Sequence, residues 1–123
     1  MVRQAREMAA AGELGRLVAV HGSYVQDWLT LPIDAEGQKQ AEWRTDPARA
    51  GQSAVLADIG VHAFNLACFV SGCEAEAVAA DLYTAVPGRR LDDNANVLVR
   101  WTGGARGTIL ASQTSPGHYN DLS

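Results

Sequence analysis

From Ala54 to Val70 the chain is almost pure hydrocarbon, yet Asp58 and His62 stand inside that run at an i, i+4 spacing. Residues so spaced share one face of an α-helix. At about 100° per residue, Asp58, His62, Asn65 and Phe69 fall on one narrow stripe. Val55, Ile59, Leu66 and Val70 occupy the adjoining stripe, and Val61, Phe64 and Cys68 make the far side apolar too. A helix apolar nearly all round is expected to be buried. Whatever fold forms must therefore pack other elements around a helix spanning about Ser53 to Val70. It must also tolerate two ionisable groups there, which is costly unless they are hydrogen-bonded or put to use.

The rest of the chain has to supply that packing. At 123 residues there is room for one domain, and 47% hydrophobic against 20% charged residues is the balance of an ordinary globular core. Residues 2 to 11 are strong helix formers with an apolar stripe of Val2, Ala5, Met8 and Ala9, stopped by Gly12. Leu17 to Gln26 reads as a Val-rich strand and Asp27 to Gln40 as a loop. That loop carries Trp28, Leu29 and Leu31, so it packs on something or moves over something. Asp46 as N-cap and Pro47 at the first helical position open a short turn that Gly51 ends. Ser53 caps the long helix and Ser71-Gly72 stops it. Three strands follow, at Ala75–Val86, Ala95–Trp101 and Ala105–Thr114, the last two joined by a Thr102-Gly103-Gly104 hairpin. In the middle strand Ala95, Val97, Val99 and Trp101 face one way, and Asn96, Leu98 and Arg100 the other. The tail from Ser115 is polar and carries no element signal. The expectation is an α+β domain, a largely antiparallel open β-sheet with helices packed on one face.

Several function classes are set aside by the same reading. A net charge of -4 with no basic cluster longer than Arg89-Arg90 offers no electrostatic footprint for nucleic acid. Arg89-Arg90 and Asp92-Asp93 both read as solvated turns. No apolar run reaches the ~18 to 20 residues that span a membrane, and residues 1 to 12 do not read as a signal peptide. Cys68 and Cys73 have neither CxxC nor paired His–Cys spacing, so reduced thiols in the cytoplasm are expected.

On spacing alone, Asp58 and His62 can be a buried hydrogen-bonded couple without further duty, half of a metal site, or an acid/base pair. A metal needs a third ligand, and His21 and His118 stand in a strand and in the tail with no motif linking them, so no metal is expected. Arg44, behind Trp43, can clamp substrate oxygens with its planar guanidinium or simply stack on the tryptophan. Gly51 and Gly60 can be helix stops, helix contacts or points of close backbone approach. No GxGxxG follows any strand.

Taken together, Trp43-Arg44-Thr45-Asp46-Pro47-Ala48-Arg49-Ala50-Gly51 and Leu56-Ala57-Asp58-Ile59-Gly60-Val61-His62 resemble the second domain of the Gfo/Idh/MocA oxidoreductases. Gly12-Glu13-Leu14-Gly15-Arg16 before a Val-rich strand fits, as do Asp92-Asp93 and Gly103-Gly104-Ala105-Arg106-Gly107-Thr108. The resemblance runs over nearly all of residues 2 to 114. It implies an NAD- or NADP-dependent dehydrogenase of sugars, inositols or related polyols. In that family an N-terminal Rossmann domain holds the dinucleotide and reads NAD against NADP, so no cofactor site is expected in this chain. The family's DxxxH pair maps onto Asp58 and His62, with His62 as acid/base and Asp58 holding the imidazole or a substrate hydroxyl. Arg44, with Trp43 and Asn65, would contact the substrate. The family's Glu-Lys-Pro motif is missing, and its glycine-rich stretch reads Gly51-Gln52-Ser53 here. Residues 1–123 are therefore read as one partial domain. The alternative is a non-catalytic oligomerisation or ligand-binding module derived from it. Either way the resemblance, and a short open sheet whose Val/Trp face lacks covering elements, imply a homo-oligomer formed through the sheet face.

Overall fold

The computed structural model describes all residues, 1–123. Its elements are α1 (Val2–Ala10), β1 (Ala19–Val25), α2 (Lys39–Arg44), α3 (Pro47–Ala50), a π-helical turn (Leu56–Gly60), α4 (Val61–Ser71), β2 (Ala75–Tyr83), β3 (Asn94–Trp101), a 3-10 turn (Thr102–Gly104), β4 (Arg106–Ser112) and β5 (Tyr119–Leu122). The strands make one open sheet in the order β2-β3-β4-β1-β5. Every neighbouring pair is antiparallel except β1 with β4, which run parallel. The expected α+β architecture holds, with α4 lying on β1 and β4 and α1 lying on α4.

The sheet's helix-facing side is set by strict alternation. Ala95, Val99 and Trp101 of β3, with Ile109 and Ala111 of β4, are buried, and Val97 is partly so. Trp101 sits at the centre. Its indole Nε1 donates to the Val20 carbonyl across the sheet at 3.2 Å, and Phe64 stacks on the ring at 5.8 Å. Burying a side chain of this size is worth roughly 3 kcal/mol, provided its polar atom keeps a partner.

The long helix departs from expectation in two ways. It is not buried all round. Ala63 and Ala67 alone are fully buried in α4, while Val61 is 49% exposed and Phe64 is open on one side. The small residues let the helix lie close to the strands: a Cβ on Gly22 of β1 would sit 3.0 Å from the Ala63 carbonyl oxygen. A helix seated that closely needs only a narrow buried seam, so its flanks stay open. Its first turn is also wound as a π-helix, with the Val61 N–H reaching back to the Leu56 carbonyl. Gly60 allows this, since a Cβ there would press on Leu56 at 2.8 Å and touch Ala111 of β4.

Three loops or tails turn out to be structure. Lys39–Arg44, whose first residues fall in the expected loop, forms α2, begun by the Gln38 side chain accepting from the Ala41 N–H at 2.7 Å. One turn and a half is too short for a periodic signal. The polar tail forms β5, whose pairing with β1 is secured by backbone bonds between His21 and Ser123 at 2.6 and 2.9 Å. An edge strand held by its backbone needs no apolar side chains, so composition does not announce it. The Arg89 side chain is only 2% exposed, bridging Asp34 at 2.9 Å and Asp93 at 3.1 Å; Arg90 alone is solvated, with Asp46 at 2.9 Å.

Asp92 and Asp93 are buried, not solvated. Asp93 accepts from the Ala85 and Val86 N–H groups at 2.7 and 3.1 Å. Asp92 accepts from the Ser53 hydroxyl at 2.8 Å and from the Ala54 and Val55 N–H groups, each at 3.2 Å. Ser53 in turn accepts from the Leu56 N–H at 3.2 Å, as its capping role requires. A carboxylate from a distant loop thus closes the helix that carries Asp58 and His62, with the charge sign that a helix N-terminus favours.

Candidate functional site

Where β1 ends, α2 and the π turn converge over the helix side of the sheet and enclose a cleft of about 400 Å³. Its walls are Tyr24 from the end of β1, Gln26, Asp27 and Trp28 after it, Gln40 and Arg44 from α2, Asp58 and Ile59 from the π turn, His62 from α4, and His118 ahead of β5. Three of the five expected site residues, Asp58, His62 and Arg44, therefore meet in one cavity.

Arg44 is fixed from every side. Its Nε donates to Asp58 Oδ2 at 2.9 Å, and its Nη1 donates to the Gln40 backbone carbonyl at 3.0 Å and to Gln40 Oε1 at 2.7 Å. The guanidinium carbon lies 4.2 Å from the Trp43 ring centre and 5.8 Å from that of Trp28. Trp43 does not line the cleft; it stacks behind Arg44, and its indole donates to Gln40 Oε1 at 3.3 Å. Of the two readings of Arg44, the structure shows the stacked arginine, with the guanidinium lying over the Trp43 ring while it pairs with Asp58.

Asp58 is anchored through one oxygen. Besides Arg44, Oδ2 accepts from Gln113 Nε2 at 2.6 Å. Oδ1 takes no bond within the protein, so one carboxylate oxygen is structural and the other is open to a ligand. Asp58 does not hold the imidazole here. His62 makes no hydrogen bond to the chain; its ring leans on Tyr24 at 6.1 Å, with His118 at the same distance from that tyrosine. An exposed histidine with both nitrogens unengaged is available to give or take a proton.

Asn65 falls elsewhere. One turn along α4 it borders an adjacent groove with Val2, Leu66, Phe69 and Asn120, which shares only Tyr24 and His62 with the main cleft. Tyr24, Gln40, Gln113 and His118 reach the site without a sequence signal. His118 in particular is brought there by the β5 pairing, which is invisible in a polar tail. Cys68 is no rival nucleophile: burial first, and the neighbouring Cys73 and Glu74 second, push its thiol above the ordinary range. No three His, Cys, Asp or Glu side chains converge as metal ligands would.

The family described as GFO/IDH/MocA C-terminal domain matches residues 2–123. This chain belongs to that family. Levoglucosan dehydrogenase of Pseudarthrobacter phenanthrenivorans is 28% identical over 97% of the chain, which covers 35% of that protein. An inositol dehydrogenase homologue from Azotobacter vinelandii, solved with NAD+, superposes with a TM-score of 0.90 at 31% identity, over 98% of this chain and 31% of its own. Levoglucosan dehydrogenase solved with NADH and levoglucosan gives 0.83 at 30% identity, over 96% and 32%. This Gfo/Idh/MocA domain thus spans about a third of the length of these relatives. No helix in it is long and apolar enough to cross a membrane.

Proposed function

We propose that this domain is the substrate side of an NAD- or NADP-dependent dehydrogenase that oxidises a hydroxyl of a sugar, inositol or related polyol. The observation that carries the reading is the convergence of Arg44, Asp58 and His62 on one cleft with room for a monosaccharide. It occurs in a domain whose relatives include levoglucosan dehydrogenase and an inositol dehydrogenase homologue. Arg44 and the free Oδ1 of Asp58 engage hydroxyls, one as donor and one as acceptor. Trp28 offers a flat apolar wall to a sugar face. His62 takes the hydroxyl proton.

A dinucleotide, when bound, supplies the hydride acceptor, but the residues of this chain do not fit one. β1 is the one strand followed by a helix, and that helix is six residues long with its N-terminus already closed by Gln38. This chain's share of the reaction is therefore to bind, orient and move the proton. Its free thiols suit a reducing, cytoplasmic setting.

The direct test is titration of the ¹⁵N-labelled chain with levoglucosan and with myo-inositol. Saturable shifts at the Trp28 indole and the Arg44 Nε–H are expected. Arg44→Lys, which loses the planar fork, should weaken binding by about tenfold or more. Shifts confined to residues outside the cleft would refute the reading and leave a non-catalytic module.

The Val/Trp face expected to seek a partner is covered by α4, with Val99 and Trp101 buried, so the homo-oligomer in the same proposal falls to the opposite side of the sheet. Leu98 is 64% exposed there, between Ala79 and Thr108. Arg100 and Arg106 mark one end of this face and Asp81 and Asp121 the other, so a second copy turned about a two-fold axis sets basic ends over acidic ones. Light scattering should find a dimer or larger assembly, and Leu98→Glu should reduce it to monomer. An unchanged mass in that variant counts against this face.

A further inference from the structure

Gln113 is the one fully buried side chain whose polar chemistry is half unused. It directly follows β4, is 0% exposed, and its backbone is pinned both ways: its N–H donates to the Asp93 carbonyl and its carbonyl accepts from the Leu29 N–H, each at 3.0 Å. Its amide nitrogen donates to Asp58 Oδ2 at 2.6 Å, while Oε1 is buried with no partner. A buried acceptor without a donor is destabilising and calls for an explanation. Turning the amide over would not relieve it, because Oε1 would then face the Asp58 carboxylate at the same short distance, acceptor against acceptor. The orphaned oxygen is what remains when the nitrogen is committed to Asp58.

We propose that Gln113 is a positioning residue for the site: its buried amide holds Asp58 so that Oδ2 grips Arg44 and Oδ1 faces the cleft. The inference deepens the reading given above, since it states how the proposed hydroxyl-binding pair is kept aligned. The bond it relies on is charge-assisted, and it joins β4 to the π turn, which otherwise touch through Ala111 and Gly60. Arg44 donates to the same carboxylate oxygen, so the carboxylate is held by two donors rather than swinging on one. The orphaned acceptor fits a residue retained for the site at some cost in stability.

The test separates positioning from packing. Gln113→Met keeps the shape and removes both the donor and the orphaned oxygen. Its melting temperature should stay within about 3 °C of the parent chain, or rise. The Arg44 Nε–H should nonetheless exchange with solvent about tenfold faster or more, while the Nε–H of Arg89, paired to Asp34, stays unchanged as the internal control. Arg44 exchange unchanged within about twofold overturns the proposal. A second variant works even where Gln113→Met folds poorly. Gln113→Glu sets a buried carboxyl against Asp58, which raises the new group's folded-state pKa above its unfolded value. Stability is then kept at low pH and lost as pH rises, so the melting-temperature penalty should be at least about 5 °C larger near pH 8 than near pH 5. A penalty independent of pH means that the side chain does not meet Asp58 in solution, and the inference falls. Neither readout needs a bound sugar. Failure of levoglucosan and myo-inositol to bind would sink the proposed function while leaving Gln113's role standing, and the reverse outcome is equally readable.

Discussion

Replacing His62 by alanine, in a protein that joins this domain to a dinucleotide-binding half, is expected to lower kcat by about 10²- to 10⁴-fold with little change in KM. The argument rests on how each group in the cleft is engaged. Asp58 is committed through Oδ2 to Arg44 and Gln113. Arg44 is a hydrogen-bond donor only. His118 reaches the cleft from the segment before β5, where it packs against Tyr24 as His62 does. His62 stands one helical turn from Asp58 with both ring nitrogens unengaged. Because it makes no hydrogen bond to the chain, its removal should leave the melting temperature unchanged, so a loss of rate cannot be blamed on unfolding. Activity retained within about threefold would sink the assignment.

The sequence shows most of this site because its parts are local. Asp58 and His62 are four residues apart on two adjoining elements, and the Asp46-Pro47 cap and the Gly103-Gly104 hairpin lie entirely within short windows. Alternation in β3 reveals which face is buried without any structure. What escapes notice is whatever depends on distant pairing. His118 becomes a cleft residue because Ser123 bonds back to His21. Asp92 looks like part of a solvated turn because its partners lie far off at Ser53–Val55, and Asp93 because its bonds go to the backbone of Ala85 and Val86, which no side-chain pattern announces. Arg89 is misread for the same reason. The far side of α4 misleads in the opposite direction: Val61 and Phe64 are apolar enough to predict burial, but Ala63 and Ala67 seat the helix so closely that its flanks remain open. Hydrophobic pattern measures what could be buried, and side-chain size decides how much is.

Asp92→Ala should then be the most damaging single change to the scaffold of the site, costing about 3 kcal/mol in urea unfolding with the slope m unchanged. The carboxylate takes three hydrogen bonds from Ser53, Ala54 and Val55, and Ala54 and Val55 are themselves buried. Truncation leaves two backbone donors without partners and without water, the arrangement in which a lost hydrogen bond is felt in full. Ser53→Ala removes the cap to the Leu56 N–H and one donor to Asp92 but leaves the Ala54 and Val55 N–H groups paired, and should cost only about 1 kcal/mol. Asp92→Asn keeps an acceptor but gives up the charge facing the helix N-terminus, and should fall between the two. The order Asp92→Ala, Asp92→Asn, Ser53→Ala is the content of the prediction. Equal costs for Asp92→Ala and Ser53→Ala would mean that Asp92 does not close the helix. The consequence reaches the cleft because the capped turn leads directly into the π turn. Once Ala54 and Val55 are released, the turn carrying Asp58 loses its fixed start, and the Arg44–Asp58 pair should loosen before the sheet unfolds. Amide exchange at Leu56 to Gly60 should therefore rise in Asp92→Ala under conditions where β3 and β4 stay protected.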